Sequence, residues 1–202
     1  MKSEMTYPIL GYSIESAAIT LKPGAWEYDG TEKKPDIALV KLSGGTTLTN
    51  GVGYQVSYAD NVNAGTGRVI ITGIGIYDGT AETTFAINKK QVTNLTFDGM
   101  EKEYEYTGEE IRPEFTLKDS DTDKVIPESE YTVEYINNTT PMEGYFPAVR
   151  VTPKADGNYN FSAVTTGTRE FKIVHEHNWR YKESGSAIIL ECQKPVCTCS
   201  AS

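Results

Sequence analysis

The chain is short of cysteine, of histidine and of positive charge, and each shortage removes a class of function. Its three cysteines, Cys192, Cys197 and Cys199, all lie near the C-terminal end, so the body before them has no crosslink and must be held by packing alone. The two histidines stand together in His175-Glu176-His177, which leaves the body without a base for a Ser-His-Asp arrangement, and no Gly-x-Ser-x-Gly elbow occurs. Lys and Arg number 19 against 28 Asp and Glu, giving a formal charge of -9 with no basic cluster, so nucleic acid is not an expected partner. A run of about 18 apolar residues is also missing, so no membrane insertion is expected within this chain. Nor does a positively charged start lead into an apolar core, and the chain reads as a monomeric fragment of a larger protein whose signal and anchor lie elsewhere. The glycines of Ile71 to Gly79 lack the Lys-Ser/Thr and the helix that a phosphate loop needs, and read as strand and tight turn.

What is abundant points to strands. Glycine (18) and tyrosine (13) are plentiful, and large residues recur two apart: Trp26 and Tyr28, Ile37 and Leu39, Tyr54, Val56 and Tyr58, Val69 and Ile71. That spacing puts each set on one face of an extended segment. Between the sets stand turn clusters such as Asp29-Gly30, Ser43-Gly44-Gly45, Asp60-Asn61 and Asp78-Gly79, at the short, regular intervals expected of an all-β sandwich or barrel.

Aligned with itself, the chain is duplicated. Trp26, Tyr28 and Gly30 fall over Tyr104, Tyr106 and Gly108; Pro35, Ile37 and Leu39 over Pro113, Phe115 and Leu117. Tyr54, Val56, Tyr58 and Asn61 then match Tyr131, Val133, Tyr135 and Asn138 in an almost unchanged register. Beyond them the second copy has longer loops, with Val69 and Ile71 over Val149 and Val151, Tyr77 over Tyr159, and Phe85 and Ile87 over Phe171 and Ile173. Insertions confined to the gaps are what surface loops tolerate and strands do not. The organisation is therefore an N-terminal extension over residues 1–13, one repeat over 14–89, a second over 90–174 and a partial C-terminal module over 175–202, with a hairpin about Ser184-Gly185.

The order of these motifs, Tyr28-Asp29-Gly30, a strand led by Pro35, Tyr54-Gln55-Val56-Ser57-Tyr58, an Asn-rich turn, Ile71-Thr72-Gly73 and a closing Phe85-Ala86-Ile87, resembles a bacterial immunoglobulin-like repeat of cell-surface proteins from Firmicutes and related gut bacteria. The resemblance spans roughly residues 15 to 174 and is looser in the second copy, where Pro153-Lys154 interrupts the Thr-Gly step. It implies an all-β fold of two tandem antiparallel Ig-like β-sandwich domains with a C-terminal β-hairpin extension. It also implies an extracellular, cell wall-associated module without catalysis, acting as a structural spacer or in cell adhesion toward a protein or glycan ligand at the cell surface. The alternative is a carbohydrate-binding accessory module of a secreted glycan-degrading enzyme, which shares the fold and the acidity.

Three sets of residues carry candidate chemistry. Trp26, Tyr28 and Tyr77, with counterparts Tyr104, Tyr106 and Tyr159, are the residues that a sugar platform would use, although matched aromatics two apart on strands are more often core. Asp119, Asp121, Asp123 and Glu128 have a spacing that can gather oxygens about Ca²⁺, but lack the Gly and the closing Glu of an EF-hand, and read as a solvated loop. In the tail, His175, His177, Cys192 and Cys197 are the one group with the donors zinc prefers. The tail resembles a His-x-His-x-Trp segment with paired cysteines that follows such repeats. A disulfide or free thiols are expected there rather than zinc, and no metal or other cofactor is expected in the chain.

Overall fold

Residues 11–139, 146–164, 167–176, 178–184, 187–193 and 200–201 are described in a computed structural model of the chain. Among them the chain is all-β: apart from a single 3-10 turn at Glu128–Glu130, every regular element is a strand. The chain divides into two compact units, Met1–Lys90 and Gln91–Ser202.

The first unit holds β1 (Tyr12–Ser13), β2 (Ala18–Leu21), β3 (Trp26–Glu27), β4 (Ile37–Lys41), β5 (Thr47–Leu48), β6 (Tyr54–Ala59), β7 (Gly65–Gly73), β8 (Tyr77–Asp78) and β9 (Thr80–Asn88). One sheet runs β2-β4-β5 and another β3-β9-β7-β6, with β1 paired to β8. The alternation along β7 buries Gly67, Val69 and Ile71, and Ile71 joins Ile14, Val40, Leu48, Tyr54 and Ala81 in one core fed from both sheets. Burying each large aliphatic side chain in such a core contributes about 1.5–3 kcal/mol. Gly67 is needed where it stands: a Cβ there would lie 2.5 Å from the Phe85 ring, which meets Trp26 edge-on at 6.4 Å.

After β10 (Lys90–Gln91), which spans the boundary, the second unit continues through β11 (Leu95–Asp98), β12 (Glu103–Glu105), β13 (Thr116–Asp119), β14 (Lys124–Val125), β15 (Tyr131–Ile136), β16 (Ala148–Pro153), β17 (Tyr159–Asn160), β18 (Thr168–Glu170) and β19 (Lys172–Val174). Sheet β11-β13-β14 answers β2-β4-β5, and β15-β16-β18 answers the antiparallel part of the larger sheet. Two clusters form its core, one around Val92, Leu117, Ile126 and Tyr131, the other around Met100, Val149, Phe171 and Ile173.

The duplicated residues make the same bonds in both units. The Tyr58 hydroxyl donates to the Pro35 carbonyl at 3.0 Å, and the Tyr135 hydroxyl to the Pro113 carbonyl at 3.3 Å. Tyr58 and Tyr135, which the self-alignment sets over one another, are thus equivalent and half-buried. The Asn61 side chain donates to the Lys33 carbonyl at 2.9 Å while the Lys33 amide donates to the Asn61 carbonyl at 2.7 Å; Asn138 and Ile111 repeat this at 3.0 and 2.8 Å. The residue before each asparagine, Asp60 or Asn137, takes a left-handed φ of 54° or 52°, a conformation that Asp and Asn tolerate better than most side chains. Ile14 and Val92, both fully buried, donate their amides to Asp78 at 3.0 Å and Asn160 at 3.0 Å.

Three expectations are corrected. Leu39 does not share a buried face with Ile37: the β2–β4 register passes from Leu39 opposite Thr20 to Ile37 opposite Leu21, so Ala38 is an extra residue, a β-bulge. The slip leaves Leu39 40% exposed and sends Val40 (0%) into the core position that Leu117 fills in the unbulged second copy. The sheets are mixed rather than antiparallel throughout, because β1 on β8, β3 on β9 and β12 on β19 run parallel. The tail is not a hairpin alone: β20 (Trp179–Ser184) and β21 (Ala187–Cys192) are joined by β22 (Ser200–Ala201) in a three-stranded antiparallel sheet, with β22 opposite Leu190 and Glu191 of β21.

Candidate functional site

Of the tail residues with zinc-type donors, His177 and Cys197 lie outside the described residues, as does Cys199. His175 is half-buried, with its ring edge-on to Tyr106 at 5.8 Å, and Cys192 closes β21 opposite Trp179. Among the described residues no group of three or more His, Cys, Asp or Glu is placed to hold a metal ion.

The candidate aromatics are packed within their own units. Trp26 meets Phe85 edge-on, as described above, and its counterpart Tyr104 meets Phe171 at 5.4 Å and 84°. Tyr77 tilts against Tyr12 at 6.0 Å, and Tyr159 packs on the second core. All six are half-buried.

The acidic loop is engaged in holding its own turns. Asp119 is buried and accepts the Asp121 amide at 3.1 Å and the Thr122 hydroxyl at 2.8 Å. Asp121 accepts from the Thr93 hydroxyl and from Asn94 at 3.2 Å. Asp123 lies 3.6 Å from Lys118, which is closer to Asp98 at 2.7 Å; the hydrogen bond between those two holds Asp98 below, and Lys118 above, their ordinary pKa values.

Two features escaped the sequence reading. One is a corner in the first unit where Lys33, its side chain only 6% exposed, bonds to Asp29 and, at 3.1 Å, to the Thr31 hydroxyl. Lys33, with the hydroxyl and amide of Thr31, holds the Asp29 carboxyl well below the usual carboxylate range. A lysine in a polar turn carries no sequence sign of burial. The second copy has Thr107, Glu109 and Ile111 at the matching positions.

The other is a recess of about 700 Å³ in the second unit, where the seam between β13 and β15 stands open; Pro113, Phe115, Tyr131, Val133 and Tyr135 line it. Val133 is 40% exposed although it shares a strand face with buried Tyr131 and half-buried Tyr135. Burial raises the Tyr131 phenol pKa, and the nearby Glu128 carboxylate adds to the effect. Asp98, Glu114 and Glu128 stand on the rim. Asp98 is neutralised by Lys118, whereas the carboxylates of Glu114 and Glu128 make no ion pair or hydrogen bond with any described residue. At the far end Arg112 lies over the Tyr135 ring at 5.7 Å and pairs with Glu110 at 2.7 Å.

None of the known protein families, curated proteins or solved structures with which the chain was compared matches it.

Proposed function

We propose that the chain is a non-catalytic extracellular module of a bacterial surface protein, built of two immunoglobulin-like β-sandwich repeats in series, which spaces or attaches the domains of its parent at the cell exterior. One observation carries this reading: the residues that recur between the copies are spent on one repeated framework of bonds. Asn61 and Asn138 close equivalent corners, Tyr58 and Tyr135 bond equivalent proline carbonyls, and Trp26 opposite Ile87 matches Tyr104 opposite Ile173 in the parallel closing pairs. A duplication that keeps scaffold and varies loops is the pattern of a module repeated for its shape. The edge-on packing of Trp26, Tyr104 and Tyr106 weighs the same way, since a sugar needs a ring face held open to it.

The test uses antibodies against this chain on intact cells that produce its parent, alongside a broad screen of the purified chain against ester, glycosidic and peptide substrates. Labelling of intact cells that is lost on external protease treatment, with no turnover, is the expected result. A signal found only after lysis, or a turnover abolished by one substitution, refutes the proposal.

A further inference from the structure

We propose that the open edge of β15, with the acid-rimmed recess beside it, is a docking site for an extended, basic segment of a partner polypeptide, which adds to the sheet as a strand. This rests on the geometry of the second unit and not on where the protein resides.

The backbone supplies the first argument. Among the described residues β15 pairs with β16 on one side only, and the sheet ends there. The Val151 amide turns away from β15 to reach the Gly167 carbonyl at 2.8 Å, and the Lys154 amide reaches the Glu130 carbonyl at 2.9 Å. Hydrogen-bonding direction alternates along an antiparallel ladder, and Val133 lies opposite Val151. The N–H and C=O groups of Tyr131, Val133 and Tyr135 therefore point outward, where no described residue bonds them. Outward peptide groups at every second residue are the complement of one extended chain.

The first unit provides a contrast at the matching edge. There Asn50 bridges to Tyr54, and the Gly51 amide caps the Tyr54 carbonyl at 2.8 Å, while Val56 packs on its core. In the second unit the matching loop folds instead into the Glu128–Glu130 turn, leaving Tyr131 uncapped and Val133 open to the recess.

Charge selects the occupant. A strand laid along β15 projects alternate side chains over the recess, which is lined by Glu114 and Glu128, unpaired among the described residues, on a chain of net charge -9. Lysine or arginine at that position finds two carboxylates. A second copy of β15 instead brings its own Glu128 and Glu114 to the same seam, and like charges across a pair of strands are unfavourable.

The experiment follows amide hydrogen exchange in the ¹⁵N-labelled full chain, with a capped heptapeptide of alternating threonine and valine carrying a central lysine, and its central-glutamate counterpart. Slowed exchange at Val133 and Tyr135 but not at Val56 is expected, with the glutamate peptide about tenfold weaker. Val133→Pro removes one outward N–H that the fold does not use, a change edge strands accept; it should keep the thermal midpoint and lose binding at least about tenfold. Should that variant misfold, Glu114→Gln with Glu128→Gln leaves the backbone intact and should erase the preference for lysine. Unchanged exchange at saturating peptide, equal affinity for the two peptides, equal protection at Val56, or self-association through β15 in place of peptide binding each overturns the proposal.

Discussion

Substituting Asn61 by alanine tests whether the repeated corner holds the fold. Asn61 is 7% exposed, and its side chain is the donor that satisfies the Lys33 carbonyl, at 2.9 Å. Without it that carbonyl stays buried with no partner, a loss of about 1–3 kcal/mol. A central value of about 2 kcal/mol changes the folding equilibrium roughly thirtyfold. With a urea slope of about 2 kcal/mol per molar, the midpoint falls by about 1 M. Asn138→Ala should lower stability too, by a smaller amount, since the Ile111 carbonyl takes the same bond at 3.0 Å but is only partly buried. Asn61→Asp keeps the shape but turns an acceptor toward an acceptor, so it should cost more than alanine at neutral pH. The assay is a urea titration followed in two-dimensional amide spectra, read at Val69 for the first unit and at Val149 for the second. Midpoint shifts below about 0.3 M for both alanine variants, or an Asn61→Asp protein as stable as the parent, would refute the reasoning.

Gly67→Ala should cost about 1–3 kcal/mol through collision with Phe85, and Phe85→Leu should recover part of that loss; additive urea midpoints would show that the two do not meet. The Asp29 corner gives a pH prediction. Because Lys33 depresses the folded-state pKa of Asp29, its contribution is complete above about pH 4, the unfolded carboxylate's value, and is lost as pH falls below that. Asn in place of Asp29 should therefore flatten the acid side of the stability curve, and parallel curves for the two proteins would contradict this. In the tail, free-thiol titration of air-purified, untagged chain should find fewer than three reactive thiols and elemental analysis no zinc; stoichiometric zinc with three thiols after chelation would reverse that expectation.

The duplication was legible because strands preserve the two-residue period and loops absorb insertions. Tyr54, Val69 and Ile71 are buried as their spacing requires. The almost unchanged register also carries the bulge. The offset between matched residues shortens by one between Ile37 over Phe115 and Tyr54 over Tyr131, and the missing residue is the Ala38 bulge. What sequence could not give is what depends on strand neighbours. Parallel pairing of β3 with β9 leaves no local signature, because the strands are far apart in the chain. The buried Lys33 and the open edge of β15 depend on how adjacent loops fold, and a turn at Glu128–Glu130 looks like any polar connection.

The parallel closing pairs have a mechanical consequence. β3 lies early in the first unit and β9 ends it, and they run in the same direction, Trp26 beside Ile87 and Glu27 beside Asn88. A pull on the two ends of that unit loads first the parallel bonds of β1 on β8 and, once these yield and the pull reaches β3, drags β3 one way and β9 the other along their common axis. The bonds between them, including Tyr28 amide to Asn88 carbonyl at 2.9 Å, lie across that axis and are loaded together in shear. An antiparallel closing pair would instead unzip one bond after another. β12 and β19, continued by the Tyr106 amide to the Val174 carbonyl at 2.7 Å, give the second unit the same geometry. In a body that lacks cysteine, strand polarity thus takes over part of the work a covalent staple would do when the chain is stretched.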